Sequence, residues 1–406
     1  MTRRGQIGLL LVVVVAVFAA VTVLTHNVFT APYPGMNDFM SRWEGARSYW
    51  QDGMNPYGEA ASLNIQKRIY GRPVAEGEDP GYFAYPFYTV FPLWPLVQMD
   101  YAWGSAVWMT LLQGCLIAAF FLLLNLFRWK PAPWLLGLLV LWTLAFYYAA
   151  RGLILGQPGI PVYFLEILTL WALFRQQDGL AGAALAFSTV KPQMGYLIVP
   201  FLLLWGLRER RWRFMGVFSG VMAALLAVSF LMQPSWLGEW LTQLGGYSGY
   251  TALGSPVWIV MTYYLGLGSI GEYAVDALLY GALLWVWVDV LWRRKRERFL
   301  WAAALTLTIT HLVAPRTATP HFVVFILPLV FFFQQITRQN RRRGGLWVAL
   351  ILLALLVIPW LHFLLTVEGE FEHPTVYLPL PFLILALLWF TRRLWWRESP
   401  SIGAES

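Results

Sequence analysis

Apolar residues along this chain gather in long unbroken runs, separated by segments that are often short and basic. A helix needs roughly 17 to 25 such residues to cross the hydrocarbon of a bilayer. The first run covers Ile7 to about Leu24. Others fall at about 103–127, 133–150, 158–174, 213–232, 271–292, 299–313, 321–337, 345–365 and 377–391. Asp178 to Arg208 is too long for one span and is interrupted at Lys191-Pro192, which predicts two short helices in a hairpin with the break at depth. Just after the first run, Phe39, Trp43, Ala46 and Trp50 recur at helical spacing and mark one face of a helix, with Glu44, Arg47 and Gln51 opposite. We expect this helix to lie at the membrane interface, anchored there by its aromatic residues. The fold class is then an all-α polytopic membrane protein of about ten to twelve transmembrane helices, with the interfacial helix in an outer loop.

Composition supports lipid as the solvent. Of 406 residues 59% are hydrophobic and 12% charged, against about a quarter charged in soluble domains. The net charge of +8 would suit a nucleic-acid partner if it formed one stripe, but the basic residues flank the apolar runs instead. Placing the N-terminus in the cytoplasm puts Arg3, Arg4, Arg128, Lys130, Arg175 and the RERRWR, RRKRER, RQNRRR and RRLWWR clusters inside. Most acids, including Glu76, Glu78, Asp79, Glu368, Glu370 and Glu372, then fall outside. This asymmetry predicts a multi-pass protein of the cell membrane with both termini cytoplasmic. It also predicts a long outer loop at about 26–102. The first run has the basic start of a signal peptide, but its length favours a retained span. Cys115 is the single cysteine, so there is no disulfide framework. No repeat or linker divides the chain, and one domain over 1–406 is expected.

Polar residues in or beside the membrane are expensive and therefore informative. On the predicted outer side they are Asp38, Arg42, Arg151, Gln157, Lys191, Gln193, His311, Arg316 and His321. This set is cationic apart from one acid, which suits an anionic head group such as a phosphate. Asp38 reads equally well as a helix N-cap or as a base, and Asn37 could cap in its place. Lys191 could snorkel to an interface, although the hairpin break should hold it deeper. His321 could serve only a carbonyl. His362 and His373 read as rim residues, and Glu76, Glu78 and Asp79 as a solvated loop. The run FAYPFYTVFPLWP reads as interfacial pieces with aromatic rings at head-group level. Trp236 and Trp240, with a turn at 245–250, read as a second outer loop. There is no Walker loop, GxSxG elbow, HExxH pair or dinucleotide fingerprint.

The order of several short motifs is similar to glycosyltransferase family 87, which includes the mycobacterial polyprenol-phosphate-mannose-dependent mannosyltransferases. The motifs are Asp38-Phe39, Ala46, Gly53, Asn55-Pro56-Tyr57, Phe83, Tyr85-Pro86, Pro95-Leu96, Leu155-Gly156-Gln157, Ala181-Gly182 and Lys191-Pro192-Gln193. The resemblance implies a glycosyltransferase C-type membrane fold and a donor sugar carried on a polyprenyl phosphate. It implies an acid in the first outer loop as general base, a position held by Asp38. The late histidine that touches the donor phosphate falls on His321. Asn37 stands where many related transferases have a second acid, so no metal or other cofactor is expected. Phe87 replaces the usual second proline, and Pro158-Gly159 follows the Gln.

The expected activity is hexosyl transfer, with mannose the expected sugar, from a polyprenyl-phosphate donor to a lipid or glycan acceptor on the outer membrane face. Asp38 would deprotonate the acceptor and the sugar would invert. Lys191, Arg316 and His321 would hold the donor phosphate, and Arg42, Tyr57, Tyr85, Arg151, Gln157, Gln193 and His311 would contact substrate. Membrane lipids are partners and nucleic acid is not. A transporter or flippase of a lipid-linked sugar would also want a cationic outer cavity. It predicts polar pairs near the midplane and related halves, and the sequence has neither.

Overall fold

Every regular element among the described residues is a helix. The computed structural model describes residues 3–402 except 36–37, 76–77, 79, 251–253, 316, 318 and 370–371. Among the described residues, six helices are long and apolar enough to cross a membrane: Gly8–Thr30, Tyr101–Leu126, Trp212–Met232, Gly268–Leu291, Thr319–Gln339 and Gly344–Thr366. Pro133–Ala145 with Tyr147–Ile154, and Pro374–Phe390 with Arg392–Glu398, bend by 50° and 65° at short breaks and bring the count to eight if each pair is one span. The chain is the all-α, multi-pass protein expected, with fewer full-length crossings than expected.

The difference lies mainly in the runs at 158–174 and 299–313. They form Gly159–Phe174 and Phe299–Val313, of 16 and 15 residues, roughly 23 Å long. All of Phe299–Val313 is buried, so its apolar character marks a protein core and not a lipid-facing span. Its threonines satisfy themselves: Thr306, Thr308 and Thr310 each donate to the carbonyl four residues earlier, at 2.7–2.8 Å. Trp301 Nε1 donates to Leu388 O at 2.8 Å, and Trp287 Nε1 to Thr306 Oγ1 at 3.0 Å.

The chain divides into two compact units. The first contains Met1–Gly114, Leu153–Gln157 and Leu226–Thr251, and the second contains Cys115–Gly152, Pro158–Leu225 and Ala252–Ser406. In the first unit, Leu9 to Val15 of the leading span are exposed, as a lipid-facing helix requires. Thr22 and Thr30 tie that span to Thr110 and to the Ala102 carbonyl, at 3.1 and 2.7 Å.

The predicted aromatic helix is Phe39–Trp50, but its aromatic residues anchor it to protein and not to the bilayer. The Phe39 ring stacks on Trp108 at 5.1 Å. Trp43 Nε1 donates to Leu96 O at 3.1 Å and Trp50 Nε1 to Val90 O at 2.9 Å. A buried indole must hand its N–H to an acceptor, and the folded 83–97 segment offers carbonyls. That segment is correspondingly packed inward, with Phe83, Tyr85, Phe87 and Tyr88 buried and Trp94 exposed. The predicted loop around Trp236 and Trp240 is instead helix Trp236–Tyr250.

In the second unit the interrupted hairpin forms as Asp178–Ser188, Pro192–Gly195 and Ile198–Arg208. An ion pair between Asp178 and Arg211 ties its first helix to the residue just before Trp212–Met232. Gly182 lets the two helices meet, since a Cβ there would lie 2.4 Å from Phe214 O and 2.9 Å from Phe218 N. Both are backbone atoms that cannot swing away. Gly182→Ala should therefore destabilise by about 1–3 kcal/mol, whereas Gly216→Ala, with nothing within 4 Å, should not. Thermal melts of the two variants in detergent check this.

Candidate active site

Asp38 occupies the N-cap residue of Phe39–Trp50, yet its side chain makes no capping bond. The carboxylate instead accepts a short hydrogen bond from Gln157 Nε2. Asn37, the alternative cap, lies outside the described residues. Gln157 reaches Asp38 because the Leu155-Gly156-Gln157 segment is a tight turn. Gly156 has φ +63°, and a Cβ on it would lie 2.7 Å from Phe39 Cβ. Trp108 Nε1 secures the turn by donating to Gly156 O at 2.8 Å. Two motifs more than a hundred residues apart thus meet at one carboxylate, which is itself exposed.

Arg42, one turn on, donates through Nη1 to the Asp38 carbonyl and through Nη2 to Tyr85 Oη at 2.9 Å. Its guanidinium lies 4.8 Å from the centre of the Tyr85 ring, so hydrogen bond and ring face hold it together. Tyr57 Oη donates to Tyr85 O at 2.5 Å. Burial pushes both phenols up, which keeps them neutral. Gln243 completes the frame, donating to Tyr57 O at 3.0 Å and accepting from Ala84 N at 3.2 Å. Asn55 Nδ2 donates to Glu239 at 2.8 Å. Glu239 and Gln243 went unforeseen because the Gly-rich composition after them suggested a turn.

The second unit gathers Lys191, His311 and His321, whose exposures are 2%, 1% and 5%. The two imidazole rings have centroids 6.3 Å apart, and Lys191 lies within electrostatic range of His311. His311 Nδ1 is 2.7 Å from Leu307 O, which assigns that nitrogen the donor proton. His321 lies in the tight turn Thr319–Phe325, where a Cβ on Gly159 would approach it to 3.4 Å. Gln193 is half-buried in Pro192–Gly195. Arg151 sits 5.0 Å from the centre of the Phe363 ring. Arg316 lies outside the described residues.

Glu372, expected only to fall on the outer side, accepts from Tyr147 Oη and Thr319 Oγ1, each at 2.6 Å. Burial raises it above the usual carboxylate range, against the pull of those bonds and of Arg151. Its neighbours in sequence gave no sign of these partners. Glu78 is half-buried on its loop and held down to about 2 by Arg72 and the Ala75 N–H. Glu76 and Asp79 lie outside the described residues. His362 and His373 share Thr375 at 2.8 and 2.7 Å. No group of three His, Cys, Asp or Glu among the described residues could hold a metal ion.

Glu44 departs from its expected polar face. It is 2% exposed and meets Arg68 Nε at 3.2 Å and Arg47 Nη1 at 3.4 Å. Burial raises Glu44, and the two guanidiniums oppose this. An acid that titrates higher in the fold than in the unfolded chain makes its charged form costly. That cost grows as pH rises from the ordinary carboxylate range through the raised value. Arg68→Gln removes one compensating charge. Its stability deficit should be large at about pH 8 and shrink towards about pH 4, where Glu44 is protonated. Melting curves of both proteins at the two pH values check the sign.

A family model described as glycosyltransferase family 87 matches residues 83–315, more than half of the chain. The match takes in Tyr85, Gln157, Lys191 and His311, and leaves Asp38 and His321 outside. No curated protein and no solved structure matches.

Proposed function

Given that this chain belongs to glycosyltransferase family 87, we propose that it moves a hexose, mannose first among candidates, from a polyprenyl-phosphate donor to a lipid or glycan acceptor. The one observation that carries the reading is the state of Asp38: exposed, not spent on capping, and oriented by Gln157. A carboxylate so held is ready to take the proton of an acceptor hydroxyl as that oxygen attacks the sugar's C1. Attack from the face opposite the phosphate inverts the anomeric centre. Arg42 and Tyr85 hold the start of the Asp38 helix in place. In the second unit, the Lys191 cation, with the rings of His311 and His321 gathered beside it, is suited to the donor phosphate, where it would offset charge growing on the leaving group. Arg316 is proposed for the same role from its place in the sequence. The reaction is proposed for the outer face of the cell membrane, with both termini cytoplasmic and no metal required.

Asp38→Asn should keep the fold and donor binding while turnover falls about 10²–10⁴-fold. Product formation from a panel of polyprenyl-phosphate sugars, followed by mass spectrometry, tests activity and variant together. Near-normal turnover would remove Asp38 from the chemistry. Lys191→Met keeps length and packing while deleting the charge. It should weaken donor affinity roughly ten- to a hundredfold and leave acceptor dependence nearly unchanged. Kinetics with donor and acceptor varied separately distinguish the two.

A further inference from the structure

The second unit contains a cavity of about 260 Å³ that the transferase reading does not use. It opens where three apolar helical segments end. Arg128 follows Tyr101–Leu126, Arg175 follows Gly159–Phe174, and Arg338 lies in the last turn of Ile326–Gln339. All three line it. These are ends at which the chain's basic residues collect. Glu398 to Ser401 also line it. Three guanidiniums against the one carboxylate of Glu398 leave the lining with two positive charges in excess.

The polar groups are poised unequally. Arg175 is fixed, donating to Asn125 Oδ1 at 2.6 Å, with Trp171 Nε1 donating to the same oxygen at 2.9 Å. Arg338 meets Glu398 only loosely, at 3.7 Å with both side chains nearly half exposed. Ser399 is buried, lines the cavity, and its Oγ has no hydrogen-bond partner among the described residues. A buried hydroxyl left without a partner is costly, and an anion accepting from it would remove that cost. Planar guanidiniums that converge from separate helices suit a tetrahedral oxyanion, which each can engage through two N–H groups. Basic pockets between transmembrane helices are a recurrent form of phosphate head-group site.

We infer that this cavity binds a phosphate group, brought in on an anionic lipid or free in solution. Arg128, Arg175 and Arg338 supply the charge, Ser399 donates its hydroxyl, and Glu398 opposes the bound anion. The assignment does not rest on sugar transfer, so it is tested by binding.

Purified full-length protein in neutral detergent is titrated with short-chain phosphatidylglycerol, with phosphatidylcholine of equal chain length, and with inorganic phosphate, and the melting temperature is followed. A saturable rise with phosphatidylglycerol and none with phosphatidylcholine supports a lipid head group. A saturable rise with inorganic phosphate supports the soluble source. Arg128→Asn with Arg338→Gln should weaken the response roughly ten- to a hundredfold. Asn suits position 128 because its φ is +52°. Glu398→Gln should instead tighten binding, a change in the direction that mere loss of packing would not give. It decides the matter even if the double variant fails to fold. No saturable response to either anion, or half-saturation in Glu398→Gln equal to or weaker than wild type, overturns the assignment.

Discussion

The contact of Gly156 with Phe39 is the constraint on which the candidate base depends. A Cβ would place another carbon 2.7 Å from Phe39 Cβ, well inside van der Waals contact. The same residue needs φ +63° to turn the chain so that the next side chain faces Asp38. Trp108 reads both requirements at once, donating to the Gly156 carbonyl and stacking on Phe39. Rigid packing beneath a carboxylate orients it more firmly than a flexible polar neighbour could. The exposed position of Asp38 and the buried frame under it are two parts of one arrangement.

The second unit solves a different problem, that of keeping polar groups inside an apolar interior. Unsatisfied buried groups are costly there, and the helix Phe299–Val313 deals with most of its own. Its threonines bond back one turn, and His311 Nδ1 uses the same device on Leu307. That leaves the other imidazole nitrogen turned away from its own helix. Lys191 enters the interior at a break in the hairpin, where the backbone itself is irregular. Glu372 joins the segment before His321 to Tyr147 through two hydroxyl donors. These hydroxyl bonds hold elements from distant parts of the chain in register.

Positive charge does more than one job in this chain. Arg42 and Arg68 stabilise one amphipathic helix from its surface, while Arg128, Arg175 and Arg338 surround a cavity at the ends of apolar segments. Arginine at helix ends suits both orientation in a membrane and recognition of an anion, because each depends on a cation beside the hydrocarbon boundary.

By itself the sequence determined the all-helical class, since long apolar runs have few other stable forms in lipid. It determined the helix at Phe39–Trp50 and the break at Lys191, because period and proline act locally. The motif Leu155-Gly156-Gln157 could be picked out, but what Gln157 touches could not. That contact is made across more than a hundred residues and is decided by packing. Tertiary structure likewise decided that Phe39 and Trp43 face protein and not lipid, because both surroundings reward an aromatic ring and only the folded chain supplies the carbonyl for the indole N–H. It decided that the run 299–313 faces protein and not lipid, since apolar composition does not distinguish the two. Glu44 was placed on a polar helix face and Glu372 only on the outer side, because a charged residue is usually exposed. Each is drawn inward by partners that come from other helices or distant loops, Arg68 for the first, Tyr147 and Thr319 for the second. No local pattern records such partners.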